Sequence, residues 1–163
     1  MSGTAMTAKT IHWWQPQLGQ PESDRVRQVL ESNYINDGEV TTQFENEIAK
    51  RVGCKYAVAV TNCTSALYLA LKAIGVGPGD EVIVPDVTFI ATANAVAMAG
   101  AKPMLADVLP HSLNLDPASF EKAITPRTRA VIPVHVSGRA ADLPGRRRSE
   151  VRNPSRGVAD DAR

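Results

Sequence analysis

The stretch YAVAVTNCTSALYLALKAIGVGPGDEVIV, residues 56–84, decides the fold class. Its first six residues form a short apolar run typical of a buried strand, and Ala66 to Ile74 then repeat apolar residues at helical spacing. A glycine-rich turn at 75–80 leads into a second strand-like run, Glu81 to Val84. A strand, a helix and a strand in this order predict a right-handed crossover between two parallel strands.

The same alternation continues toward the C-terminus. A helix is predicted at 88–99, a strand at 103–107 and a further strand at 130–136. Between the last two, Asp116 caps a helix that has Pro117 at its first position. Strands separated by helices predict an α/β fold, a mostly parallel sheet covered by helices on both faces.

Two helices are predicted before residue 56. The first covers residues 20–33 and has Val26, Val29 and Leu30 on one face. The second begins at a Thr41 or Thr42 cap and has Phe44, Ile48 and Val52 at helical spacing. It ends where Gly53 provides a left-handed C-terminal cap. Tyr34 to Glu39 is predicted to be the loop between the two helices.

The net charge of +1 is a sum over two unlike segments. Residues 1–144 hold 12 Lys and Arg against 14 Asp and Glu, whereas residues 145–163 hold 6 against 3 and little that a strand could bury. We therefore expect a flexible N-terminus over 1–10, a partial α/β domain over 11–144, and an Arg-rich, non-native-looking tail over 145–163 that results from truncation or a frameshift.

Composition also narrows the function classes. No window approaches the roughly 20 apolar residues of a membrane span, and the N-terminus lacks the apolar core of a signal peptide, so a cytoplasmic protein is expected. Cys54 and Cys63 have no partners at metal-ligand spacing, and no metal site or disulfide is expected. The main body has no basic stripe for nucleic acid, although the arginine tail leaves a polyanion-binding arm as an alternative.

Ligands of open parallel sheets bind beyond the carboxyl ends of the strands, which directs attention to the strand exits. At one exit, Thr64 and Ser65 open a helix that can bind a phosphate, or that is simply capped by Asn62 or Thr64. At another, Phe89 can stack on a planar cofactor or belong to the core. His135, at a third, is a site residue or a hydrogen-bonded structural histidine.

Several segments, in order, resemble the DegT/DnrJ/EryC1/StrS family of sugar aminotransferases over residues 11 to about 144. They are Tyr34-Ile35-Asn36-Asp37-Gly38, Phe44-Glu45, Val60 to Leu67, Gly77 to Val82, Pro85 to Asn94, Ile124 to Thr128, and Pro133-Val134-His135. The resemblance implies the large domain of an aspartate-aminotransferase-like fold (fold type I) that binds pyridoxal 5′-phosphate. It also implies a homodimer that transfers an amino group from glutamate or glutamine to a nucleotide-linked keto sugar.

The resemblance further implies roles for individual residues. Cys63, Thr64 and Ser65 would bind the cofactor phosphate, and Phe89 would lie against the pyridine ring. Many relatives have glycine where this chain has Cys63, but a backbone N–H is kept. The substrate-side candidates are Tyr34, Gly38, Thr92, Asn94 and His135.

The family mechanism also needs a Schiff-base lysine and an aspartate beside the pyridine nitrogen. None of the six lysines occupies the family's lysine position, and Asp160 and Asp161 are poor matches to the aspartate because no apolar strand precedes them. We therefore expect the chain to be inactive alone. The alternatives are a non-catalytic α/β phosphate-binding or dimerisation module, and a pyridoxal-phosphate-dependent sugar dehydratase of the same family.

Overall fold

A computed structural model describes residues 15–142. The expected tails over 1–10 and 145–163, together with Asp160 and Asp161, lie outside these residues. The chain divides into two units, with the boundary between Ala59 and Val60.

The first unit contains two helices, α1 (Gln20–Glu31) and α2 (Glu39–Val52). Glu22 closes the start of α1 because its carboxylate accepts the Gly19 backbone N–H at 2.7 Å. The predicted Thr41 or Thr42 cap of α2 is wrong, since the helix begins after Gly38, whose carbonyl accepts both the backbone N–H and the hydroxyl of Thr42. Gly53 does end α2 in the left-handed conformation, with φ +69°.

The apolar faces of these helices are more exposed than the sequence predicts. Leu30 of α1 is 61% exposed and Phe44 of α2 is 57% exposed. Only Ala49 is buried among the residues of the two helices. An amphipathic pattern predicts which face a helix will bury, but burial itself needs a packing partner, and none covers these side chains within the described residues of this unit.

Within its described residues, the second unit holds a three-stranded parallel sheet of order β2-β1-β3, with three α-helices and one 3₁₀ turn. In chain order its elements are α3 (Cys63–Ala73), β1 (Glu81–Pro85), α4 (Ala91–Met98), β2 (Lys102–Ala106), α5 (Pro117–Ala123), β3 (Thr128–Val131) and the 3₁₀ turn η1 (Val136–Gly138). The predicted α/β class is confirmed.

Three predicted boundaries are wrong. Residues 56–61 are not a strand: no strand within residues 15–142 pairs with them, and Val58 is 80% exposed. An apolar run becomes a strand only where a neighbour supplies the hydrogen-bond ladder. β3 covers four residues rather than the predicted 130–136, and α4 begins at Ala91 rather than residue 88.

The core lies on both faces of β1, whose five residues are all buried. Val82 and Val84 pack with residues of α3 and α4, including Leu71 and Val96. Ile83 turns to the opposite face, where it packs with Leu115 and neighbouring residues of α5. The side-chain alternation of a strand thus distributes helices to both sides of the sheet, as predicted.

Glu81, at the amino end of β1, is a buried carboxylate with three hydrogen bonds. Its Oε2 accepts the Thr125 hydroxyl at 2.5 Å, and its Oε1 accepts Nε and Nη2 of Arg127 at 2.9 and 2.6 Å. These bonds, that of Thr125 first, hold the pKa of Glu81 below its ordinary value although burial opposes them. The cluster fastens the start of β1 to the turn before β3, at the sheet edge opposite the strand exits.

Candidate functional site

The three strand exits of the second unit share the carboxyl edge of the sheet, because the strands are parallel. β1 continues into residues 86–90, β2 into the segment 107–116, and β3 into the loop 135–141. The C-terminal end of α3 lies at the amino edge of the sheet, where the Ile74 carbonyl accepts Arg129 of β3 at 3.4 Å, so α3 runs with its N-terminal end toward the carboxyl edge.

The N-terminus of α3 leaves two backbone donors unused. The Asn62 side chain caps the helix by accepting the Ser65 N–H at 2.9 Å, and the Asn62 carbonyl accepts the Ala66 N–H at 3.1 Å. The N–H groups of Cys63 and Thr64 have no acceptor within residues 15–142. The cap and the anion site are therefore compatible: the cap uses Ser65, and the two preceding donors stay available for a phosphate.

The side chains at this helix start differ in accessibility. The Cys63 thiol is exposed, whereas Thr64 and Ser65 are half-buried. The Ser65 hydroxyl lies 3.5 Å from that of Thr61. Since the backbone N–H of Ser65 is taken by the cap, Ser65 could reach a phosphate only with its hydroxyl.

Phe89 follows β1 and is 77% exposed. A core phenylalanine would be buried, so this ring belongs to the surface at the carboxyl edge of the sheet. Its faces are accessible to a planar ligand, which is the arrangement that stacking requires.

Thr92 and Asn94 lie on the first turn of α4 and differ in environment. Thr92 is 5% exposed, and its hydroxyl lies 2.8 Å from that of Thr88. This bond joins the segment after β1 to the first turn of α4. Asn94 is exposed, and the structure assigns no hydrogen bond to its side chain within the described residues.

His135 is exposed and has one ring nitrogen engaged. Its Nδ1 accepts the Ala141 backbone N–H at 2.9 Å. The neutral ring in this arrangement carries its proton on Nε2. His135 is therefore a hydrogen-bonded loop histidine whose Nε2 makes no hydrogen bond within the described residues.

Tyr34 and Gly38, in the first unit, are packed against each other. A Cβ added to Gly38 would lie 2.9 Å from Cε1 of Tyr34, so only glycine permits this ring position. Gly38 has φ −159°, which any residue adopts, and its lack of a side chain is therefore needed for packing alone. Around them, residues 28–41 line a cavity of about 450 Å³.

Sequence reasoning missed Asn114, which is 3% exposed and bonded to the loop after β3. The sequence signal that could have found it is an asparagine between two leucines, Leu113-Asn114-Leu115. A polar side chain buried among apolar neighbours needs hydrogen-bond partners. It also missed the Glu81 cluster, although a charged residue at the head of an apolar strand is a comparable signal.

No helix within residues 15–142 is long and apolar enough to cross a membrane.

The chain is similar to several known proteins. The DegT/DnrJ/EryC1/StrS aminotransferase family matches residues 16–149. The spore coat polysaccharide biosynthesis protein SpsC of Bacillus subtilis (strain 168) is 50% identical over 128 residues, which are 78% of this chain and 33% of SpsC. The GDP-perosamine synthase of Caulobacter vibrioides is 46% identical over 129 residues, 78% of this chain and 35% of that enzyme.

A solved structure is similar to this chain in fold. DesV of S. venezuelae, in complex with a ketimine intermediate, superposes with a TM-score of 0.71 at 45% identity, over 75% of this chain and 33% of DesV. The chain thus spans about a third of the length of the relatives it matches. Because the family match extends over most of its residues, the chain belongs to the DegT/DnrJ/EryC1/StrS aminotransferase family.

Proposed function

We propose that this chain forms the cofactor-phosphate and ring-binding part of a pyridoxal-phosphate-dependent sugar aminotransferase. One observation carries the proposal: a capped helix start offers two unused N–H donors, those of Cys63 and Thr64, toward the sheet edge at which Phe89 is exposed. Membership of the aminotransferase family supports it.

The residues present fit the two ends of the cofactor. Cys63 and Thr64 would hold the phosphate through their backbone, assisted by the positive end of the α3 dipole, and Phe89 would pack on the pyridine ring. The bound cofactor supplies an electron sink for transfer of the amino group. A cysteine where many relatives have glycine keeps the required N–H.

The substrate proposal is a nucleotide-linked keto sugar, with glutamate or glutamine as amino donor and a cytoplasmic homodimer as the working assembly. GDP-perosamine synthase, whose name contains a nucleotide-linked sugar, supports the substrate class. Tyr34 and Gly38, Thr92, Asn94 and His135 are the substrate-side residues of this proposal.

Binding by these parts alone is weak. A phosphate at a helix N-terminus gains about 1 to 2 kcal/mol and ring stacking about 0.5 to 1.5 kcal/mol. A sum of about 1.5 to 3.5 kcal/mol corresponds to a dissociation constant above a millimolar. The test must therefore tolerate weak binding and must avoid imine formation with surface lysines.

We would titrate the 163-residue chain with 4′-deoxypyridoxine 5′-phosphate, which has no aldehyde, and follow backbone amides in ¹H–¹⁵N spectra. Cys63→Pro removes one donor, and the extended backbone of Asn62, with φ −166° and ψ 166°, accepts a following proline at the first helical position. Losing one of the two N–H donors should remove about half of the phosphate's binding free energy, which raises the Kd of the analogue about two- to fivefold.

The matched control is Cys63→Ala, which keeps the N–H and should bind the analogue as the unaltered chain does. Deoxypyridoxine without its phosphate should bind more weakly to both. Equal affinity of Cys63→Pro and Cys63→Ala, or no effect of removing the phosphate, would overturn the proposed cradle and favour a module without a cofactor.

A further inference from the structure

Asn114 has its side-chain amide fully used by one loop. The residue lies on a tight hairpin after β2, closed by a Val108–Leu115 bridge and by the Leu109 N–H, which donates to the Asn114 carbonyl at 2.8 Å. Its side-chain Nδ2 donates to the carbonyls of Arg139 and Ala140 at 3.1 and 2.9 Å.

On the other side of the amide, Oδ1 accepts the Val136 N–H at 3.0 Å. All three partners are backbone atoms of the loop that follows β3, more than 20 residues away in sequence. A buried amide whose two donors and acceptor all meet one segment fixes the position of that segment, because any displacement leaves buried polar groups unpaired.

The loop also has two internal backbone bonds: the Gly138 and Arg139 N–H groups donate to the His135 and Val136 carbonyls at 3.2 and 3.1 Å. Ser137 has φ 52° and Gly138 has φ 76°, and residues 137–140 are exposed. A left-handed serine is unfavourable on its own and persists where surrounding contacts impose it. Besides the amide, Arg139 donates from Nη1 to the Ser112 carbonyl at 3.1 Å, which joins the loop to the same hairpin.

His135 stands at the start of this loop and closes it from within, because its Nδ1 accepts the Ala141 N–H. That bond needs a conformation of residues 136–140 that brings Ala141 back to the ring, and Asn114 is bonded to three backbone groups of this segment. It also requires the neutral ring with its proton on Nε2, which can donate to an oxygen acceptor.

We propose that Asn114 is a positioning residue for His135. It holds the 135–141 loop at the carboxyl edge of the sheet, and the loop in turn orients the imidazole and fixes Nε2 as the hydrogen-bond donor. That the acceptor is an oxygen of the aminotransferase substrate rests on the proposed function. The dependence of His135 on Asn114 does not.

The test is amide hydrogen exchange on the full 163-residue chain, without a cofactor. Asn114→Asp keeps the shape but sets a carboxylate oxygen against the Arg139 and Ala140 carbonyls. We expect protection of the Ala141 amide to fall about tenfold or more, because its N–H is bonded to His135 and the carbonyl of the same peptide group, that of Ala140, is bonded to Asn114. The Ile132 amide, bonded to the Ile83 carbonyl at 2.9 Å, should keep its protection and so excludes general destabilisation.

The reciprocal variant gives the direction of the dependence. His135→Ala should release the Ala141 amide but leave protected the Val136 amide, which is bonded to Asn114. In ¹⁵N spectra, Nδ1 of His135 should carry no proton in the unaltered chain and should show a mixture of tautomers in Asn114→Asp. His111, whose side chain makes no hydrogen bond within the described residues, is the reference. Asn46→Asp, the same change at an exposed asparagine, should alter none of these signals.

An unchanged Ala141 amide in Asn114→Asp, or an equal loss at Ile132, would overturn the proposal. Should Asn114→Asp fail to fold, Asn114→Ser, which is smaller and uncharged, is judged by the same comparison of Ala141 with Ile132. The exchange measurement involves no ligand, so failure of the cofactor-analogue titration contradicts the proposed function without affecting this result.

Discussion

Phe89→Ala separates a binding role of the ring from a structural one. The ring is 77% exposed, so removing it should change the free energy of unfolding by only about 0.5 kcal/mol, as for other surface positions. If the ring stacks on the cofactor, its loss removes about 0.5 to 1.5 kcal/mol of binding free energy. The dissociation constant of 4′-deoxypyridoxine 5′-phosphate should therefore rise about two- to twelvefold.

The assay follows the Cys63 and Thr64 amides during the titration, and urea unfolding is measured on the same preparation. Ile90→Ala is the matched control, because it truncates the neighbouring apolar side chain, which is 64% exposed, and should leave the analogue's affinity unchanged. The reasoning would be refuted if Phe89→Ala bound the analogue as tightly as the unaltered chain, or if Ile90→Ala weakened binding equally.

Two further predictions concern stability. Hydrogen bonds from Thr125 and Arg127 lower the pKa of Glu81 from 4.5, so the ionised carboxylate stabilises the folded state. This stabilisation is fully present above the ordinary pKa of 4.5 and is lost as the pH falls through the lowered pKa of the folded state. Urea unfolding from pH 7 to pH 3 should show this loss, and Glu81→Gln should reduce the acid dependence; an unaltered slope would contradict the assignment. Asp116→Ala removes the carboxylate that accepts the Ala118 N–H at 3.1 Å and should lower the free energy of unfolding by about 1 kcal/mol. Asp37→Ala, at an exposed aspartate whose side chain makes no hydrogen bond within the described residues, tests whether loss of any aspartate has the same effect.

The sequence predicted those elements whose determinants are local. Asp116 and Pro117 open α5 because a carboxylate cap and a fixed φ act within one turn. Gly53 ends α2 for an equally local reason, its left-handed backbone. The two apolar runs at 81–84 and 103–107 became strands because each has a partner inside the chain.

The predictions that were wrong depend on distant partners. Residues 56–61 have the composition of a strand, but composition cannot provide the neighbouring strand that makes one. The apolar faces of α1 and α2 were predicted from helical spacing, yet Leu30 and Phe44 on these faces are exposed. At the candidate site, the sequence offered Asn62 or Thr64 as the cap but could not show that the cap leaves the Cys63 and Thr64 donors unused.

The contacts of Asn114 likewise could not be predicted from the sequence. Its partners lie 22 to 26 residues further along the chain, and no local pattern shows that the two segments meet. Buried polar side chains in short polar segments are therefore the positions at which three-dimensional information adds most.

The Glu81 cluster also bears on how the chain folds as it is synthesised. Arg127 follows Glu81 by 46 residues, so the apolar run Val82 to Val84 leaves the ribosome long before the carboxylate finds its partner. During that interval the unpaired charge at the head of the run opposes association with other chains, as gatekeeper residues do beside apolar strands. Once Arg127 arrives, the same charge becomes a clamp that selects β3 as the neighbour of β1. A single carboxylate thus protects the nascent strand first and specifies its pairing later.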